Sequence, residues 1–144
     1  MLFSTHIVAG AVLGGLLRRP ALVAPVAVAS HLAMDLVPHW GVPDEAAFLR
    51  AARVDGLAAL ALGVGLLLRA PGPRRVAVLT GMAGAGLLDL DKPCRHFFGI
   101  SPFPRAVDDF HARIQEGVEA PERVWVDLLS ALALGAVFLR QHGR

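Results

Sequence analysis

The chain has 144 residues, with one cysteine, one lysine and only 18% charged residues. Each shortage excludes something. Cys94 alone cannot form an internal disulfide, so cysteine usage gives no compartment. Lys92 is the sole lysine and the formal net charge is +2, so no basic stripe of the kind that binds nucleic acid is present. Nothing basic precedes the first apolar run, and Arg18-Arg19 follow it where a signal peptide would carry small residues for cleavage; a signal peptide is not expected. Familiar catalytic signatures are missing too: there is no G-x-S-x-G, no P-loop, no H-E-x-x-H and no dinucleotide fingerprint.

What the chain has is apolar surface. Hydrophobic residues make up 55% of it, and the mean hydropathy is +0.56. A soluble domain of this size needs more polar surface than that leaves. Five apolar runs stand out, over 3–17, 21–37, 54–68, 76–90 and 124–139. Each has about 15–17 residues, at or below the usual minimum of ~17 for a membrane span. Nearly uncharged, they leave almost no polar face to meet water. The 15 glycines and 10 prolines lie largely within or beside these runs, where packed membrane helices tolerate them. Gly10 and Gly14 in the first run, and Gly81, Gly84 and Gly86 in the fourth, predict close helix packing.

Arg18-Arg19-Pro20 breaks the first two runs apart, and the segment 69–75, with two prolines and a glycine, separates the third from the fourth. In the long connection after the fourth run, Val107, Phe110, His111 and Ile114 fall at i, i+3, i+4 and i+7. That spacing predicts a short amphipathic helix on the membrane surface or capping the bundle.

Threading the five runs alternately through a bilayer sorts the charge by side. All twelve acids, and every histidine except His142, fall on one side or just inside it. Opposite them lie Arg18, Arg19, Arg69, Arg74, Arg75, Arg140 and Arg144, with no acid. Short basic turns stay cytoplasmic, which places the acid-rich end outside the cytoplasm. Phe3, Trp40, Phe48, Phe97, Phe98, Phe103, Phe110 and Trp125 gather near that end, as an interfacial belt does.

The residues able to do chemistry lie at the same end. His31-x3-Asp35-x3-His39 closes the second run. His31 and Asp35 are four apart and share a helix face, and Pro38 is expected to end that helix with His39 at its rim. At ~1.5 Å per residue, His31 sits roughly 10 Å below the rim. A histidine and an aspartate at such depth need a partner, a cavity or a metal. Imidazole with carboxylate suits zinc, and also manganese or iron. Asp89-Leu-Asp91 ends the fourth run on the same face; Asp89 is the deeper of the two and the better ligand candidate, while Asp91 is also a natural surface partner of Lys92. His6 follows Ser4-Thr5, a plausible N-cap, and His111 lies on the apolar face of the amphipathic segment. His96 and Asp55 are weaker candidates, Asp55 opening the third run where a carboxylate favours a helix N-terminus. His6, His31, Asp35, His39, Asp89 and His111 thus converge from four segments as candidate ligands for one metal, or for two sharing a carboxylate. An unligated Asp35 or Asp91 is the candidate general base.

At these residues the chain resembles a family of small bacterial and archaeal inner-membrane proteins described as membrane-bound metal-dependent hydrolases and distantly likened to zinc-dependent phospholipases C. The matching pieces are Thr5-His6 with Gly10, His31-x3-Asp35-x2-Pro38-His39, Leu88-Asp89-Leu90-Asp91 and Phe110-His111-x2-Ile114. The resemblance implies an all-helical membrane fold and a metal site built from His6, His31, Asp35, His39 and Asp89. Where relatives often read Asp-x-Asp-His, this chain has Lys92, which cannot replace a histidine ligand.

The expectation is therefore a single all-α domain over 1–144, an integral membrane bundle. Its transmembrane helices are placed at about 3–17, 21–38, 54–69, 75–90 and 122–140, with an amphipathic interfacial helix at 105–116. Its expected function is hydrolysis, with a divalent metal, of a lipid or lipid-linked phosphoester or ester at the extracytoplasmic face of the inner membrane. The alternative is a non-catalytic metal- or cofactor-binding membrane subunit or assembly factor. A transporter would want a polar path, which the inner halves of these helices do not offer.

Overall fold

The computed structural model describes residues 1–142; Arg144 of the basic end lies outside the described residues. Seven α-helices follow one another: α1 Phe3–Leu17, α2 Pro20–Asp35, α3 Glu45–Arg69, α4 Arg75–Ala85, α5 Asp91–Phe98, α6 Arg105–Gln115 and α7 Val124–His142. Single 3-10 turns precede α4, α5 and α7. No strand occurs among the described residues, and one isolated parallel pairing joins His39 to Glu119. In it the His39 N–H donates to Val118 O and the Ala120 N–H to His39 O, tying the segment after α2 to the one before α7.

Helices α1, α2, α3, α4 and α7 alternate in direction. The Leu2 N–H meets Asp127 at the start of α7, while Gly15 lies against Gln141 and His142 at its end, so α1 and α7 run together. α3 joins them, with Asp55 beside Ser4 and Gly63 beside Ile7. α4 runs the other way, Gly10 of α1 facing Gly81 and Gly14 facing Ala77 and Val78. α1 is the hub and touches α2, α3, α4 and α7. The glycines make the α1–α4 approach possible: a methyl on Gly10 would overlap the Gly81 carbonyl, and one on Gly81 the Gly10 carbonyl.

Several boundaries differ from the expected ones. α2 stops at Asp35, short of 38, because Pro38 disfavours helical geometry in the residue before it. α3 begins at Glu45 instead of 54, since Asp44 caps it, its side chain accepting from the Ala47 N–H at 2.6 Å. Asp55 consequently sits within α3 and does not open it. The fourth run is not one helix to 90: α4 ends at Ala85, a 3-10 turn covers Leu88–Leu90, and the unforeseen α5 follows. Gly99, at φ 73°, closes α5 in the left-handed conformation glycine favours. Arg95 and Ser101 both donate to Asp108, at 2.6 and 2.9 Å, and clamp α5 to α6.

The molecule is apolar outside and polar within at one end. Leu57, Leu60 and Leu68 of α3, Val76 of α4 and Leu132 of α7 are each 65–70% exposed. Meanwhile Thr5, His6, His31, Asp35, His39, Asp89, Asp108, His111 and Asp127 are buried. The apolar core, including Val8, Ala11, Val12, Val78, Met82 and Phe138, fills the middle and the opposite end. α3 is long and apolar enough to cross a membrane; α1 and α2 are apolar but shorter.

Candidate metal centre

Three helices deliver the central carboxylate and its imidazoles. His31 and Asp35 project from one face of α2, one turn apart, His6 comes from α1 and His111 from α6. Asp35 has no exposed surface and binds on both oxygens. Its Oδ2 lies 3.1 Å from His31 Nε2 and 3.0 Å from His111 Nε2, and accepts from Gln115 Nε2 at 2.8 Å. Its Oδ1 lies 3.1 Å from His6 Nε2 and 2.7 Å from the Met1 amino group.

Backbone geometry fixes one tautomer. α4 ends at Ala85, whose carbonyl is left without a helical partner. His31 Nδ1 lies 2.6 Å from that oxygen. A carbonyl only accepts, so Nδ1 carries the proton and, in the neutral ring, Nε2 presents a lone pair. That lone pair faces an anionic carboxylate oxygen at 3.1 Å and another ring nitrogen, His111 Nε2, at 3.0 Å. Acceptors do not approach so closely in a buried site without a proton or a cation among them. A tetrahedral ion with bonds of ~2.0–2.1 Å sets its ligands roughly 3.3 Å apart, close to what is seen. The Ala85 carbonyl orients the imidazole from behind, as outer partners of metal-bound histidines do.

A second group shares His31. Ligand atoms of His6, His31 and Asp89 all lie within 4.8 Å of one another, as do those of His31, Asp35 and His111. The His6 and His31 rings stack with centroids 4.0 Å apart. His6 Nδ1 and Asp89 Oδ2 are buried and have no hydrogen-bond partner, so the second group has orphaned atoms that a cation would satisfy. Lys92 Nζ donates to the other Asp89 oxygen at 2.5 Å. Burial pushes the Asp89 carboxyl up, but the Lys92 ammonium, with His6 and His31 behind it, holds it below the usual carboxylate range.

Five of the six candidate ligands fall in these two groups. His39 does not. Its Nδ1 donates to Val37 O at 2.7 Å, and its buried Nε2 points at Glu119 Oε1, 3.4 Å away. Asp91 also stays apart, accepting the Lys92 N–H at 2.7 Å. Asp55 accepts from the Ser4 N–H, and His96 is exposed beside Phe97. On α6 the buried residues are Asp108 and His111, with Gln115 reaching Asp35, while Phe110 is 48% exposed; the helix turns a polar face inward.

Three participants have no place among the sequence candidates. Gln115 lies one turn beyond His111, a spacing that places it on the same face. Asp127, with no exposed surface, accepts from the Leu2 N–H at 2.6 Å and the Trp40 N–H at 2.8 Å; nothing local to α7 announces those distant partners. Glu119 is brought to His39 by the isolated backbone pairing alone.

Asp89 also lines a groove of about 660 Å³, as do Gln115 and Glu119. The centre thus has one edge open to the outside.

No family model, curated protein sequence or solved structure matches the chain.

Proposed function

We propose that the chain is a membrane-embedded, metal-dependent hydrolase of lipid or lipid-linked phosphoesters or esters, as its motifs resemble. The five alternating helices span the bilayer, and the histidine-rich end opens at the extracytoplasmic face. The carrying observation is the triangle of His31 Nε2, His111 Nε2 and Asp35 Oδ2 with edges of 3.0–3.1 Å, its tautomer forced by Ala85. Membrane placement is supported by the leucine- and valine-covered exterior around a polar interior. The basic turns at the far end support the orientation.

His31, His111 and Asp35 would hold one divalent ion, zinc fitting two imidazoles and a carboxylate best, with manganese or iron as alternatives. His6 and Asp89 would hold the same ion nearer the groove, or a second one. Once bound, such an ion acidifies water and polarises a phosphoryl or carbonyl oxygen. The protein's own groups do the rest. Gln115 holds Asp35 by its amide N–H, and Ala85 holds His31. Because Asp35 is engaged on both oxygens and Asp91 belongs to neither the ligand groups nor the groove lining, the proton acceptor is Glu119, which lines the groove and is backed by His39. It takes a proton from water as the water oxygen bonds to phosphorus. The ester P–O bond breaks with its electron pair on the lipid oxygen, which receives that proton.

A purely metal-holding subunit would close its ligands away from any groove; Asp89, shared by ligand group and groove, favours hydrolysis. The test is elemental analysis of protein purified from alkali-washed membranes. A stoichiometric divalent metal, lost in a His31→Ala/Asp35→Ala double variant, supports the proposal. Release of the protein by alkaline wash, or no metal uptake after reconstitution, refutes it.

A further inference from the structure

The groove beside the centre has an unusual combination of walls. α3 extends about ten residues, or ~15 Å, beyond the level at which Asp55 meets the start of α1. This overhang carries Phe48, Leu49, Ala52 and Arg53 along one side of the groove, and Phe97 of α5 lines it as well. Trp40 stacks on Phe48 with ring centroids 6.3 Å apart. Leu57 and Phe97, each 70% exposed, belong to the groove and also to the apolar exterior, so the groove is open sideways to whatever surrounds the bundle.

The charges are sorted. Asp55 is occupied by the Ser4 N–H, Glu119 faces His39, and Asp89 belongs to the ligand group. Arg53 lines the groove and has no acidic partner among the described residues. Lys92 is held only by Asp89, which an ion would engage.

We propose that this groove binds the chain of an anionic phospholipid with a terminal phosphate, and that Arg53, assisted by Lys92, holds that phosphate beside Asp89. The inference rests on the hydrolase proposal and names its substrate class. An apolar trough open to a membrane takes an acyl or prenyl chain; a free guanidinium lining the same groove as a candidate-ligand carboxylate takes a dianionic headgroup, which it matches in two-pronged geometry. An uncharged head would leave Arg53 without a counter-charge, and a zwitterionic one would offer a single phosphodiester charge with a cation attached. The volume, about 660 Å³, lies within the ~300–1,000 Å³ of small-molecule sites.

The experiment follows binding without relying on turnover. In maltoside micelles, a Trp125→Phe background leaves Trp40 as the sole indole, and dibromostearoyl lysophosphatidate is titrated against its fluorescence, with dibromostearoyl monoglycerol as the uncharged control. Saturable quenching by both lipids is expected, the phosphate lipid binding more tightly. Arg53→Gln should weaken the phosphate lipid by about tenfold and leave the control unchanged, while Arg53→Lys keeps part of the preference. Ala52→Phe should abolish saturable quenching by both. Equal affinity of wild type and Arg53→Gln for the phosphate lipid overturns the headgroup assignment, and saturable quenching in Ala52→Phe overturns the chain assignment. Metal content is read on the same samples. Selective, Arg53-dependent binding in protein that takes up no metal supports this groove and refutes the hydrolase proposal. Metal uptake without such binding refutes the groove alone.

Discussion

Replacing His31 by alanine removes the one imidazole common to both ligand groups. Structural zinc contributes about 10–16 kcal/mol over four ligands, or roughly 3 kcal/mol per ligand, which is about a hundredfold in affinity. At a metal concentration of about 1,000 Kd the wild-type fold gains about 4.1 kcal/mol; with Kd weakened a hundredfold the gain falls to about 1.4 kcal/mol. The substitution has a second cost, because the Ala85 carbonyl loses the donor it holds at 2.6 Å. A buried acceptor left bare costs about 1–3 kcal/mol, with or without metal. His31→Gln separates the two effects, since its amide can return a donor to the carbonyl while offering a poorer ligand. Thermal unfolding in detergent, with and without chelator, measures both quantities, and elemental analysis after dialysis gives occupancy. His111→Ala is the comparison, as it removes a ligand from only one group and should leave the His6–His31–Asp89 set able to bind. A His31→Ala protein that keeps both wild-type occupancy and a wild-type metal-dependent rise in unfolding temperature would refute the assignment of His31 as the shared ligand.

Gly10→Ala forces a methyl into the Gly81 backbone and should destabilise by about 3 kcal/mol or prevent folding, since overpacking costs ~1–3 kcal/mol even where side chains can yield; detergent-phase thermal melts would read it, and a wild-type melt would refute the close approach. Asp127→Ala strips the acceptor from the Leu2 and Trp40 N–H groups and should cost about 2–6 kcal/mol, against a result near zero if those amides find other partners. Acidification should release the metal, because protons compete with it for the imidazole ligands, so occupancy should fall as pH is lowered. Metal retention that stays flat from pH 7.5 to about 4.5 would count against histidine ligation.

The sequence carried the helices more fully than their ends. Apolar runs mark α1 to within a residue, and Pro20 marks the start of α2, because those signals are local. The apolar run starts nine residues after α3 does, since the stretch Glu45–Arg53 is polar on its exposed side and resembles a loop unless Asp44 is taken as a cap. α5 leaves no apolar signal for a related reason: its eight residues are mostly polar. Among the site residues, His31 and Asp35 were legible because helical spacing puts them on one face. The meeting of His6, Asp89 and His111 with them came from counting sides of a membrane. His39 lies apart from the ligand groups because the chain turns at Leu36, before Pro38, and then pairs with the Glu119 segment, a long-range contact without a sequence signature. Gln115 was within reach of the same turn-by-turn spacing that selected His111.

The start of α1 has no cap of its own; its amides are anchored by Asp55 from the third helix and Asp127 from the last. The head of the first helix is thus completed by carboxylates that lie far along the chain from it. A chain truncated before residue 127 would keep all five grouped imidazole and carboxylate residues yet leave the Leu2 and Trp40 amides without their acceptor.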